Sequence, residues 1–269
     1  MTPSPSTRVV LHFAPHPDDE CLGAPAGLLR LASLGYQVIS IACTYGRRDQ
    51  QLARRLEARR AHEILGFQLV DLEHVIGLSA NEDLVAAESE LAIEVERLLV
   101  RFHPEIVVSP SPHDRHHGHE VVGRAVMRAL ENNPQPQTRW WLWGLWADLP
   151  FPNVFIPFDA TIFSTIESAL SAHKSELARN DYRDVLRGRS ISNAALGSER
   201  VFGFGTARYD CLHAELITEL LHVKPQNWLL TKPRLFGTDA FAPGDICLDK
   251  WLHRASITSQ LRKGGRMPF

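Results

Sequence analysis

Cysteine is scarce in this chain, and its cysteines are widely separated. The 269 residues contain four of them, Cys21, Cys43, Cys211 and Cys247. No two form a Cys-x-x-Cys pair, which argues against a disulfide framework and against a zinc site made of thiolates. Such cysteine usage is typical of a reducing compartment, and the sequence predicts a cytoplasmic protein.

Long hydrophobic runs and a strong net charge are also absent. No run is long or apolar enough to span a bilayer, and Met1–Arg8 is polar and proline-containing, without the apolar centre of a signal sequence. The formal net charge is -2, with acidic and basic residues interspersed, which argues against a generic binder of nucleic acid or membrane surfaces. A small molecule is therefore the expected partner.

The first half of the chain contains a regular alternation of short apolar segments and amphipathic ones. The apolar segments predict strands, and apolar residues at helical spacing predict helices. The predicted strands are Val9–Phe13, Gln37–Cys43, Gln68–Leu72 and Glu105–Ser109. The predicted helices are Glu20–Leu34, Asp49–Leu65, one through Leu91, Val95, Leu98 and Phe102, and one that begins near Gly118. Four strand-helix rounds predict an α/β fold with a doubly wound, mostly parallel sheet and helices on both faces.

The character of the chain changes after a polar connection at Asn132–Thr138. The length suits one large domain, and we predict a single domain over 1–269. Within it, residues 1–132 form the core and residues 133–269 a more divergent, substrate-determining extension.

Patterns in the extension are weaker than in the core. They predict a strand at Trp140–Trp146, a helix capped by Asp159 that runs toward Ala178, and a helix at Arg208–Leu221, while 180–205 follows no clear pattern. The tryptophans of the predicted strand are interpreted as core or as a subunit contact in a homo-oligomer. The alternative is a platform for a sugar face or a lipid-like tail, because aromatic rings offer a large rigid surface.

A histidine and two aspartates follow the first predicted strand directly. His16 and Asp19 are three residues apart in a turn stiffened by proline, so both side chains can converge on one metal ion. Asp18, between them, faces another way and could act as a general base. Acids here could also simply support the start of the next helix, but that role needs no preceding histidine.

The second dense cluster of potential metal ligands follows the fourth predicted strand, between Pro110 and Glu120. His119 is three residues before Val122, which lies on the buried face of the predicted helix, so His119 is expected to point inward. His116 precedes the helix and can reach the same pocket. In doubly wound sheets the first and fourth strands are commonly neighbours, and ligands bind beyond their carboxyl ends. Both clusters are therefore expected in one cleft.

The two clusters resemble the signature of the LmbE-like (PIG-L) family of zinc-dependent N-deacetylases, with Pro-His-Pro-Asp-Asp-Glu after the first strand and His-x-x-His after the fourth. The resemblance implies that His16, Asp19 and His119 bind one zinc ion per chain, or another divalent ion in its place. It also implies that Asp18 is the general base and that a protonated His116 shares the developing oxyanion. The resemblance extends more weakly through Arg54–Ala58, Ala61–Gly66, Pro104 and Ala172-His173-Lys174-Ser175-Glu176.

This chain departs from the family pattern at Gly118, where the family often has the aspartate of His-Pro-Asp-His. That acid would support the neighbouring imidazole, so His116 is expected to be a weaker catalyst unless Asp114 or Glu120 takes over the role. Arg54 stands at a family position suited to reaching the substrate, although charged helix residues are ordinarily only solvated.

The predicted function is that of a Rossmann-like α/β zinc hydrolase that removes an N-acetyl or similar small N-acyl group from an amino sugar or sugar conjugate. The sugar is implied by the resemblance alone. A metal-dependent phosphoesterase, and a relative that retains zinc and binds a glycoside without cleaving it, are the alternatives. The first turn lacks Gly-x-Gly-x-x-Gly and carries acids, which argues against a nucleotide-binding protein.

Overall fold

Strands and helices alternate through the first half of the computed structural model, which describes residues 8–73, 76–79, 83–133, 138–223 and 227–255. Within these ranges the strands are β1 (Val9–Ala14), β2 (Gln37–Ala42), β3 (Gln68–Asp71), β4 (Ile106–Pro110), β5 (Arg139–Trp143), β6 (Val154–Phe158), β7 (His213–Val223), β8 (Asn227–Leu230), β9 (Arg234–Leu235) and β10 (Ile246–Cys247). The helices are α1 (Asp19–Leu22), α2 (Pro25–Ser33), α3 (Gln51–Leu65), α4 (Leu84–Phe102), α5 (His117–Asn132), α6 (Ala160–Leu170), α7 (Lys174–Leu177), α8 (Tyr182–Phe202) and α9 (Asp249–Leu252). None of these helices is long and apolar enough to cross a membrane.

The first strand lies in the middle of the sheet. The order is β10-β8-β7-β5-β4-β1-β2-β3, with β6 paired to β7 and β9. The strands from β5 to β3 in this order are parallel, and β7, β8 and β10 extend the sheet in antiparallel fashion. The pairing of β1 with β4 confirms the predicted neighbourhood of the first and fourth strands. The segments that follow both strands therefore leave the sheet at the same edge.

Helices cover both faces of the sheet because its central strands bury side chains in both directions. Val9, Leu11 and Phe13 of β1 belong to a core cluster with residues of α4 and α5. Val10 belongs to a second cluster with residues of α2, α3 and α6. Successive residues of a strand point to opposite faces, so one strand contributes to both cores. The doubly wound α/β architecture is as predicted.

The predicted helix Glu20–Leu34 is divided into α1 and α2. Pro25 begins α2, where its missing N–H costs nothing. Gly23, at the junction, packs against the indole of Trp143, and a Cβ there would lie 2.5 Å from the ring atom Cε2. The chain can bend this close to the sheet only because residue 23 is glycine.

The prediction of a helix at Arg208–Leu221 is wrong, since the structure has strand β7 there. This strand pairs with β5, β6 and β8 and is buried over most of its length. Its carboxylates are held in the interior; Glu219 forms ion pairs with Arg234 and Arg139. A strand buried on both faces lacks the polar-apolar alternation that identifies strands in a sequence, and its buried acids imitate the polar face of a helix.

The other elements of the extension agree with the sequence in part. The predicted helix after Asp159 begins as expected, because the Asp159 carboxylate accepts the backbone N–H groups of Thr161 and Ile162 at 3.0 and 2.9 Å. The helix is shorter than predicted, because α6 ends at Leu170 and the short helix α7 follows a break at residues 171–173. The stretch without a clear pattern forms α8. In the predicted polar connection, 134–137 lies outside the described residues.

The tryptophan segment is a shorter strand than predicted, because β5 ends at Trp143. Trp140, Trp141 and Trp143 are fully buried, which confirms the interpretation as core. Trp146 lies beyond the strand with half of its surface exposed.

Candidate metal and catalytic site

The two predicted ligand clusters meet beyond the carboxyl ends of β1 and β4. His16 lies in the turn after β1, and His116 and His119 lie at the start of α5, which follows β4. The ring centre of His16 is 5.0 Å from that of His116 and 5.3 Å from that of His119. The centres of His116 and His119 are 4.6 Å apart. The sheet topology therefore brings together side chains that are 100 residues apart in the sequence.

Asp19 lies between two of these imidazoles. Its Oδ2 atom accepts the backbone N–H of His16 at 2.8 Å and is 3.2 Å from Nδ1 of His16, while Oδ1 is 3.4 Å from Nε2 of His119. Burial favours the neutral carboxylic acid, but the nearby imidazoles of His119 and His16 outweigh it and hold the pKa of Asp19 below its usual value. Asp19 is thus a carboxylate with both oxygens directed at the histidines.

Asp18 points into the same pocket but has the opposite electrostatic surroundings. Burial, together with the negative charges of Asp19 and Glu20, raises the pKa of Asp18 well above its usual value. The backbone at Asp18 is in the left-handed region, with φ 114° and ψ -24°. Asp18 and Asp19 both line the cavity, and their roles as base and metal ligand remain predictions.

The donor atoms of this cluster suit a divalent metal. Nitrogen atoms of His16, His116 and His119 lie within 4.8 Å of one another, and the Asp19 carboxylate borders two of the three rings. Imidazole nitrogens and one carboxylate are the ligands that a catalytic zinc site commonly uses. The structure thus brings the three predicted ligands together, and it adds His116 as a fourth donor within reach.

Asp114 supports His119 rather than His116. Its Oδ2 atom accepts the Nδ1–H of His119 at 2.7 Å, and Asp114 is fully buried. Burial acts against the charged imidazole, but the acids Asp19 and Asp114 outweigh it and raise the pKa of His119. A carboxylate on the far nitrogen of a histidine fixes the ring and its tautomer, as at many metal sites. The sequence left open whether Asp114 or Glu120 supports His116, and the structure has Asp114 bonded to His119 instead.

His116 lacks that kind of support. Its Nδ1 atom is buried without a hydrogen-bond partner. Burial and the adjacent imidazoles of His119 and His16 lower the pKa of His116 to about 2. These surroundings favour the neutral imidazole, in contrast to the protonated form that the family resemblance implies.

The presence of glycine at position 118 has a steric explanation in this structure. A Cβ at residue 118 would lie 3.1 Å from Cε1 and Nε2 of His16 and 3.5 Å from Cε1 of His116. The first two distances are shorter than ordinary carbon contacts, so a side chain at this position would displace the His16 ring by a few tenths of an ångström. Glycine leaves the start of α5 directly against the imidazole of His16.

Comparison with known proteins agrees with this arrangement. The model of the PIG-L family, described as GlcNAc-PI de-N-acetylase, matches residues 11–130, which include both clusters. The protein YaiS of Escherichia coli (strain K12), described as an uncharacterized deacetylase, is 30% identical over 189 residues, or 62% of this chain and 90% of YaiS. This chain belongs to the PIG-L family. Homologues in this family are deacetylases, so the resemblance derived from the two motifs is confirmed at the level of the family.

Solved structures share the fold of this PIG-L member. The hydratase GalB of Pseudomonas putida KT2440 matches with a TM-score of 0.62 at 17% identity, over 82% of this chain and 99% of GalB. The N,N'-diacetylchitobiose deacetylase of Pyrococcus horikoshii matches with a TM-score of 0.59 at 16% identity, over 82% of this chain and 88% of that protein. Because one neighbour is a hydratase and the other a deacetylase, the fold by itself does not determine the reaction.

The cluster opens into a cavity of about 410 Å³ that the extension helps to form. Trp146 forms part of one wall and stacks on His116, with ring centres 5.6 Å apart and planes at 24°. Arg54 lies on the cavity wall, as the sequence predicted, but its guanidinium is ion-paired with Glu176 and donates to the carbonyl of Tyr45 at 3.1 Å. Arg179 also contacts Glu176, at 2.9 Å. Arg179 was not assigned to the site from the sequence, Glu176 appeared only in the weaker part of the family resemblance, and Trp146 only in the alternative of a sugar platform.

A larger cavity, of about 1050 Å³, lies at the opposite edge of the sheet, next to the amino ends of the parallel strands. Among its lining residues, Arg8 forms an ion pair with Glu105, and Arg139 and Arg234 form ion pairs with the buried Glu219. Parallel α/β sheets bind ligands at the carboxyl ends of their strands, where the histidines and aspartates of this chain converge. The smaller cavity is therefore the candidate active site.

Proposed function

We propose that this PIG-L family member is a zinc-dependent hydrolase that removes an N-acetyl or similar small N-acyl group from an amino sugar or sugar conjugate. The observation that carries the proposal is the convergence of His16, Asp19 and His119 beyond the ends of β1 and β4, with Asp18 on the wall of the same cavity. The two adjacent aspartates also differ in their surroundings, because burial raises the pKa of Asp18 whereas the imidazoles of His119 and His16 hold down that of Asp19. Two neighbouring carboxyl groups whose pKa values are pushed apart are typical of separate electrostatic and acid-base roles.

His16, Asp19 and His119 would hold the metal, one ion per chain, with zinc as the expected ion and another divalent ion as a substitute. When bound, zinc supplies Lewis-acid polarisation of a carbonyl and lowers the pKa of a water molecule. Asp114 keeps the proton of His119 on Nδ1, which leaves Nε2 as the nitrogen that faces Asp19. His116 is the competing donor, because its nitrogens lie within the same cluster.

Asp18 would carry the proton transfers. As general base it takes a proton from the attacking water, and as general acid it returns that proton to the departing amine nitrogen. A raised pKa makes the Asp18 carboxylate a stronger base in the first step. It also keeps the proton on the Asp18 carboxyl group until the second step.

His116 would act on the developing oxyanion as a neutral imidazole. Its low pKa leaves it one N–H to donate, so it contributes a hydrogen bond rather than a full positive charge. A donor aimed at charge that appears only in the transition state lowers the barrier without tightening substrate binding.

The cavity suits a small glycoside. The half-exposed ring of Trp146 offers a flat apolar surface for a sugar face, and the charged pair of Arg54 and Glu176 offers polar contacts. The family description as a GlcNAc-PI de-N-acetylase and the chitobiose deacetylase with the same fold support an N-acetylated amino sugar as the substrate class.

The proposal is tested by measuring acetate release from N-acetylglucosamine and N,N'-diacetylchitobiose with zinc-loaded protein, with chelator-treated protein as the control. We expect acetate release only from the loaded protein, and we expect Asp18→Asn to keep zinc but retain only a small residual turnover. Release of phosphate from phosphate esters with two metal ions per chain would instead identify a phosphoesterase. Zinc-dependent sugar binding without any turnover would identify a binding protein.

A further inference from the structure

A buried histidine of the extension contacts the turn that carries Asp18 and Asp19, on the side away from the candidate metal ligands. His173 lies at the corner between α6 and α7 and is fully buried. Its Nε2 atom is 2.5 Å from Oε1 of Glu20, a residue 153 positions away in the sequence. Glu20 is also buried, so the pair is closed to solvent. This contact lies behind Asp18 and Asp19, outside the cluster of candidate metal ligands.

The second oxygen of Glu20 holds the backbone of Asp18. Oε2 accepts the N–H of Asp18 at 3.1 Å, and the carbonyl of Asp18 accepts the N–H of Cys21 at 2.8 Å. Both backbone polar groups of Asp18 are therefore fixed. Asp18 needs this restraint, because its φ of 114° is a conformation that a residue with a Cβ rarely adopts unless its surroundings impose it.

Two simpler explanations account for less of this geometry. Glu20 could serve only to favour the start of α1, but helix-start stabilisation does not require a buried histidine from another part of the chain. Glu20, Cys21 and His173 could also form a second metal site, since their donor atoms lie within 4.8 Å of one another. The direct 2.5 Å contact between His173 and Glu20, however, is a hydrogen-bond distance and leaves no space for an ion between those two atoms.

We propose that His173 and Glu20 are positioning residues for Asp18: His173 orients the Glu20 carboxylate, which holds the left-handed backbone at Asp18 and thereby the direction of the Asp18 side chain. This inference rests on the proposed function, in which Asp18 transfers protons. It also assigns a role to the Ala172–Glu176 segment, whose Glu176 contacts Arg54 on the cavity wall.

The first test compares His173→Leu with His173→Gln, whose amide N–H can replace the imidazole donor to Glu20. With N,N'-diacetylchitobiose as substrate, we expect His173→Leu to lower kcat by about 10- to 100-fold while zinc content and KM stay near the wild-type values. His173→Gln should restore most of kcat. His213→Leu is the control, because His213 is partly buried and its Nδ1 contacts Ser190, outside the turn that carries Asp18 and Glu20.

The second test asks whether His173 acts through Asp18. In the Asp18→Asn protein, His173→Leu should cause no further loss of the residual kcat, since the group that it positions is already gone. Independent, multiplicative losses would overturn the inference, as would a fall in zinc content that accounts for the loss of activity.

A third measurement does not depend on activity. We expect hydrogen exchange of the Asp18 amide, followed by NMR on the zinc-loaded protein, to be about tenfold faster or more in His173→Leu than in the wild type or His213→Leu. If the wild type releases no acetate, the proposed function fails while this measurement still tests the positioning. Unchanged exchange would refute the positioning even in an active enzyme.

Discussion

Asp114→Asn should damage metal binding and loop structure together, because one buried carboxylate serves both. Oδ2 of Asp114 accepts the Nδ1–H of His119 at 2.7 Å. Oδ1 accepts three consecutive backbone N–H groups, those of Leu145, Trp146 and Ala147, at 2.7, 3.1 and 3.2 Å. Asparagine has only one carbonyl oxygen, so it can keep one of these two sets of bonds but not both.

Each orientation of the asparagine has a definite cost. If its oxygen faces the loop, the amide N–H₂ faces His119 and favours the tautomer with the proton on Nε2, the nitrogen needed for the metal. If its oxygen faces His119, the loop N–H groups lose their acceptor and Trp146 loses its anchor. Losing a hydrogen bond to a charged group costs roughly 1.5–3 kcal/mol of folding stability, and losing the acid behind a ligand histidine weakens metal binding by about 10- to 100-fold.

Chelator competition measures the zinc affinity of Asp114→Asn, and denaturant unfolding of the metal-free protein measures its stability. Asp148→Asn is the matched control, because Asp148 is exposed and lies in the segment that follows the same loop. A decrease in both zinc affinity and stability is expected for Asp114→Asn and in neither for the control. Wild-type zinc affinity in Asp114→Asn would refute the assignment of Asp114 as the residue that orients His119.

Three further predictions follow from individual side chains. Asp19→Asn should lower zinc affinity more than His116→Gln does in the same chelator competition, and the reverse order would make His116 a ligand in place of Asp19. Trp146→Ala should raise KM for an N-acetylated amino sugar by about tenfold with little change in kcat, which steady-state kinetics would show, and an unchanged KM would exclude the sugar platform. Burial raises the pKa of Glu215 to about 7, although hydrogen bonds from the backbone N–H groups of Gly27 and Ala26 oppose the shift. The folded state therefore binds the proton more tightly than the unfolded state, in which the pKa is 4.5. The free energy of unfolding should fall by about 3 kcal/mol as the pH rises from 4.5 to about 7. Glu215→Gln should lack this loss when unfolding is compared at pH 5 and pH 8, and parallel curves for the two proteins would contradict it.

Much of the parallel core could be predicted because its signals are local. The apolar segment Val9–Phe13 and the helix that ends at Gly66 were recognisable from periodicity and from a terminating glycine. Strand β7 was not, because its burial comes from neighbours on both sides and from the pairing of Glu219 with Arg234, a residue outside the strand. A polar residue in a sequence does not reveal whether its partner is water or another side chain.

In the candidate site, too, some features could be predicted from the sequence and others could not. The sequence predicted that His16, Asp18 and Asp19 would meet His116 and His119, because short spacings and the order of strands in a doubly wound sheet are enough to place them. Which of the two histidines Asp114 contacts was left open, since the choice between two histidines three residues apart depends on how α5 packs.

The sequence by itself determined which candidate ligands are present, a histidine and two aspartates after one strand and histidines after its neighbour, because spacing and periodicity are properties of the chain. Only the tertiary structure decided the pKa values of these side chains and the contacts that hold them. Burial lowers the pKa of His116, Asp114 accepts the Nδ1–H of His119, and His173 contacts Glu20 across 153 residues. These effects depend on desolvation and on long-range contacts, and both exist only when the chain is folded.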